Sequence, residues 1–164
     1  MKRGDEVFVD TNVIIEAHRV RGWKALTAAF KLVTAAKCVE EAATGDRRRG
    51  GYVEVDVDNL QKTATVCQPD PTEATKLVME LPPGLTLDPG ERDLLACVRN
   101  RPGVWWVCSP DGAAVRAAHA LGFLDQMVSL EHLLQTAKIR TGLQPQFMEK
   151  WLSGVRTRLK LDSL

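Results

Sequence analysis

Apolar residues in this chain fall mostly in short unbroken runs, the pattern of strands buried on both faces. Val7-Phe8-Val9 is the first such run. It ends on Asp10-Thr11-Asn12, where Thr11 or Asn12 can cap the helix that begins with Val13-Ile14-Ile15. Residues 32–35 and 104–108 read as further strands, and a short strand is expected near 126–128. Between the strands, helices are predicted over 23–30, 38–44, 71–81, 88–98, 113–121 and 130–139, and 144–161 has an amphipathic helical pattern. Gly45 and Gly122 stand where helix stops are expected. Residues 52–58 alternate with period two, and with 63–67 they read as an exposed hairpin or extended insertion behind a charged loop. Strands alternating with helices predict an α/β fold with a mostly parallel sheet. In such sheets, sites lie beyond the carboxyl ends of the strands.

The 164 residues are 45% hydrophobic and 26% charged, which suits one soluble globular domain and excludes disordered and collagen-like classes. Lys+Arg 22 against Asp+Glu 21 leaves a net charge of +1, so nucleic-acid contact would have to come from a local patch. Arg47-Arg48-Arg49 is the densest basic run, followed by Lys2-Arg3 and by Arg19, Arg21 and Lys24. No apolar run approaches the ~20 residues of a membrane span. The first residues turn acidic before any long apolar stretch, which argues against a secretory leader. Cys38, Cys67, Cys97 and Cys108 form no CxxC pair and read as reduced core cysteines of a cytoplasmic protein. Trp105 and Trp106 sit mid-strand, where core packing is expected. Apolar faces on the 23–30 and 71–81 helices would suit a homodimer.

The acids change the picture. Asp10 follows the first strand and Asp111 follows the Trp-rich one. Glu40 and Glu41 come after the 32–35 strand, and Glu91 and Asp93 follow Asp88-Pro89-Gly90. Each acid taken singly suits a helix N-cap or first turn. Caps alone do not explain acids at the same end of successive strands. Carboxylates brought together repel, and a hard divalent cation, Mg²⁺ or Mn²⁺, makes such a cluster tolerable.

Taken in series these segments resemble the PIN domain family of metal-dependent ribonucleases. Val-Phe-Val-Asp-Thr-Asn-Val-Ile-Ile is similar to the family's opening. Cys-Val-Glu-Glu-Ala-Ala-Thr-Gly is similar to its second acidic motif, whose Glu precedes a Gly by four residues, so Glu41 is preferred to Glu40. Asp-Pro-Gly-Glu-Arg-Asp-Leu-Leu-Ala-Cys resembles the helix with the third acid, a place for which Glu91 and Asp93 compete. In Val-Cys-Ser-Pro-Asp-Gly, Ser109 and Asp111 stand for the Thr/Ser-x-Asp step. The segment from Val128 to Gly142 resembles the tail of a prokaryotic PIN-like subgroup. The likeness runs in order through residues 6–143. It implies a PIN-like nuclease domain over 1–143, with an insertion around 46–69, and a C-terminal helical extension over 144–164.

The resemblance implies a three-layer α/β/α sandwich that hydrolyses RNA phosphodiester bonds in the cytoplasm. Asp10, Glu41, Glu91 and Asp111 would be catalytic, and with Asp93 they would hold Mg²⁺ or Mn²⁺. Asn12 and Ser109 would support them, and Arg47, Arg48 and Arg49 would contact RNA. The family includes VapC-type toxins of toxin–antitoxin pairs, so an antitoxin protein and a homodimer are implied partners, and no membrane. Two other readings stand beside this one. One is a catalytically inactive PIN-like module that binds RNA or protein. The other, by fold analogy, is a haloacid-dehalogenase-type phosphatase, which needs an Asp where Asn12 stands.

Overall fold

The structure, a computed structural model, describes residues 1–44 and 51–162. In them, β1 (Glu6–Val9), β2 (Lys31–Ala35), β3 (Thr65–Cys67) and β4 (Trp105–Cys108) form one parallel sheet in the order β3-β2-β1-β4. β1 is therefore central, and its residues Val7, Phe8 and Val9 are fully buried. Phe8 aligns with Val33 on one side and with Val107 on the other. The helices are α1 (Thr11–Arg19), α2 (Trp23–Ala29), α3 (Ala36–Ala43), α4 (Val57–Thr63), α5 (Pro71–Glu80), α6 (Pro89–Val98), α7 (Gly112–Ala120), α8 (Leu130–Thr136) and α9 (Glu149–Leu161). α3, α5 and α6 pack together, and α8 and α9 pack with α2 and α7. The result is the expected α/β/α sandwich. Among the described residues no helix is long and apolar enough to cross a membrane.

The chain runs from β1 to β2 and β3 on one side, then crosses back to place β4 on the other side of β1. The β1–β4 boundary is thus the topological switch point, where open parallel sheets carry their ligand crevices. Asp10 extends β1 there, its N–H donating to the Cys108 carbonyl at 3.3 Å.

Four features differ from the sequence expectation. The period-two stretch 52–58 forms no strand, because Asp56 accepts from the Asn59 N–H at 2.9 Å and starts α4 instead. Of 63–67 only Thr65–Cys67 is extended, and it joins β2 in parallel rather than as a hairpin arm. The strand expected near 126–128 is a 3₁₀ turn, Leu124–Gln126, followed by a single bridge from Met127 to Val107. Cys67 and Cys97 form a disulfide that ties β3 to α6, with Cα atoms 6.6 Å apart, while Cys38 and Cys108 are free and buried. Two of the four cysteines therefore depart from the reduced reading, since their meeting depends on strand order and not on local spacing.

The apolar side of α2 is not an exposed face: Trp23, Leu26 and Ala29 are buried, and the helix packs on α8. α5 does leave Val78 and Met79 exposed, at 50% and 80%. Trp105 and Trp106 are half-buried and fixed at Nε1, donating to the Arg101 carbonyl and to Asp5 Oδ2, each at 3.0 Å.

Candidate functional site

Of the helices that begin at the carboxyl end of the sheet, α1, α6 and α7 are each capped by an aspartate, while α3 starts directly after β2 with no side-chain cap. Asp10 Oδ1 accepts from the Val13 N–H at 2.8 Å and caps α1. Asp111 Oδ1 accepts from the Ala113 and Ala114 N–H groups at 2.5 and 3.4 Å and caps α7. Asp88 caps α6 in a capping box: its Oδ1 accepts from the Glu91 N–H at 2.8 Å, and Glu91 Oε2 accepts from the Asp88 N–H at 3.2 Å. The positive ends of three helix dipoles thus face this region. The capping role and the convergence of acids turn out to belong to the same residues.

The sheet brings Asp10 and Ser109 together across 99 residues of chain. Ser109 Oγ donates to Asp10 Oδ2 at 2.5 Å and accepts from the Asp111 N–H at 3.2 Å. One hydroxyl therefore joins the Asp10 carboxylate to the Asp111 backbone. Asp10 is 2% exposed and Glu91 6%. Burial pushes the Asp10 carboxyl up to about 7, opposed by the bonds from Ser109 and Val13 and reinforced by the charges of Asp88 and Asp111. Burial raises Glu91 to about 8, with Asp111, Asp88 and Asp10 adding repulsion. Asp10, Glu91, Asp111 and Asp88 consequently act on one another as one electrostatic group.

Glu41 adjoins this group by a different route. Its Oε2 accepts from Thr11 Oγ1 at 2.7 Å, and its carboxylate lies against Gly90, so closely that a Cβ there would strike Oε2. Glu40 points elsewhere and pairs with Lys37 at 2.9 Å. Asp93, although only 8% exposed, is engaged by Arg92 at 2.7–2.8 Å. Asn12 is exposed and lines a cleft beside Asp111. Arg47, Arg48 and Arg49 lie outside the described residues, as does Gly45.

Asp88 and Thr11 are the members that sequence reasoning missed. Asp88 reads completely as an N-cap before Pro-Gly-Glu, which hid its second role. Thr11, like Asn12, reads in the sequence as a helix cap, a task that Asp10 performs.

The donor set is chemically suited to a hard divalent cation: carboxylate and hydroxyl oxygens, with buried acids whose charged forms repel. Among the described residues no three His, Cys, Asp or Glu side chains stand as a ready coordination group. Compared with known proteins, the chain matches no family model and no curated protein.

Proposed function

We propose that this protein is a metal-dependent endoribonuclease of the PIN type, cutting RNA phosphodiester bonds at the β1–β4 switch point. One observation carries the nuclease reading: at the carboxyl end of the sheet Ser109 Oγ joins the Asp10 carboxylate to the Asp111 backbone, and the buried Glu91, from a third element, lies within reach of both their charges. Asp10, Glu91 and Asp111, with Glu41 adjoining, would hold Mg²⁺ or Mn²⁺, which when bound neutralises phosphate charge and lowers the pKa of a water. Ser109 keeps Asp10 from rotating, and Thr11 does the same for Glu41. Burial of Asp10 and Glu91 excludes bulk water from two of the acids, strengthening each charge that acts there.

The test is cleavage of a mixed structured-RNA pool with Mg²⁺ or Mn²⁺, wild type beside Asp10→Asn and Asp111→Asn. Metal-dependent cleavage lost in both variants is the expected result. Cleavage surviving in both variants overturns the site. No cleavage together with no metal binding by calorimetry overturns the enzyme reading in favour of an inactive binding module.

A further inference from the structure

A cleft of about 310 Å³ opens directly beside Asp111, between α1 and the segment that precedes α9. Its walls include Asn12, Ile15 and Arg19 from α1 and Gln144 and Gln146 from the facing segment. That segment is stitched in place. Glu16, only 3% exposed, accepts two bonds of 2.6 Å from Arg19 and a third, of 3.1 Å, from the Gln144 N–H. Arg19 also donates to the Gly142 carbonyl at 3.0 Å. The guanidinium and Glu16 thereby neutralise each other, so apart from the Asp111 carboxylate that lines one side the cleft presents carboxamide chemistry and no net positive charge.

Carboxamides are poor phosphate clamps and good readers of base edges, because each offers both donors and an acceptor. Gln146 Nε2 donates to Gln144 Oε1 at 2.9 Å, which aligns the two amides side by side. This pairing leaves the Gln146 oxygen to accept and the Gln144 nitrogen to donate. Ile15 and the buried Phe147 supply an apolar surface for a ring face. The volume is at the lower end of the range for small-molecule sites, which suits one nucleotide.

We infer that this cleft is a base-reading subsite: it holds the nucleobase next to the scissile phosphate of single-stranded RNA, and Gln144, Gln146 and Asn12 select that base. The inference rests on the nuclease reading for its scissile phosphate, but base selection is measurable without cleavage. Fluorescence anisotropy with four labelled homopolymeric RNA hexamers, in EDTA, supplies the test. Wild type is expected to bind its best hexamer at least about tenfold tighter than its worst, the discrimination of one good bidentate contact. Gln144→Ala/Gln146→Ala should compress that spread to about twofold, and Gln146→Glu, which can no longer donate to Gln144 Oε1 and so turns the Gln144 amide to present its oxygen, should change which hexamer is preferred. Circular dichroism melts verify that the variants fold.

Equal binding of all four hexamers by wild type, as backbone contact alone would give, overturns the subsite, and so does no binding of any of them, as a peptide-binding cleft would give. An unchanged spread in the double variant does the same. Base-selective binding that vanishes in the variant, without cleavage in Mg²⁺ or Mn²⁺, upholds the subsite while the nuclease reading falls.

Discussion

At Asp10 and Glu91 the same burial that suits the proposed chemistry works against the folded state. Their carboxyls are raised to about 7 and about 8, whereas in the unfolded chain both titrate near ~4. Between those values the native state holds more protons than the unfolded state, so stability in EDTA falls as pH rises from about 4 to about 8. Asp10→Asn keeps the cap acceptor for Val13 and removes the buried charge. It should raise Tm by several degrees at pH 8 and hardly at all at pH 4, read from thermal melts; equal shifts at both values refute the burial argument. Gly90→Ala tests the neighbouring acid. The added methyl meets the end of the Glu41 side chain, not backbone, so the unfolding free energy should hold within about 0.5 kcal/mol. RNA cleavage should fall by about tenfold or more as Glu41 is displaced. At this scale the sequence was most legible, since Asp10, Glu91 and Asp111 were all recognisable from strand ends and helix starts. Asp88 was not, because its role in the acid group arises from packing α6 against the switch point, which no local spacing encodes.

Among the elements, the long helices and the fully buried strands carried their own signatures, and β3 did not. Three residues long, with Thr65 and Val66 exposed, it shows no periodicity, and its place beside β2 is settled by the path through α3 and α4. The alternation at 52–58 misled because one Asp56 cap outweighs a period-two pattern that has no partner strand. β3 is instead held by a covalent tie to α6. The Cys67–Cys97 bridge closes a sequence separation of 30 residues, which by chain entropy contributes about 3.5 kcal/mol. Both cysteines are half-buried, within reach of a small phosphine. Reduction should therefore lower Tm by roughly 10 °C, and Cys97→Ser should match the reduced protein. A reduced protein that melts where the oxidised one does refutes the tie.

Across the whole molecule, every strand pairing is parallel and reached by a crossover, with no hairpin among the described residues. Pairing of this kind must close long loops before any contact is gained. Refolding followed by tryptophan fluorescence should therefore take milliseconds to seconds; a microsecond phase that recovers the full signal contradicts this topology. The Asp10–Ser109 bond, joining groups 99 residues apart, has a consequence for how the protein is made. At about 5–20 residues per second, β1 leaves the ribosome some 5–20 s before β4 follows it. For that interval Val7-Phe8-Val9 lacks one of its two flanking strands. Any chain released before Trp105 lacks both β4 and Asp111, so abortive products that short carry no assembled acid group. The proposed chemistry would therefore be confined to copies extended past Asp111.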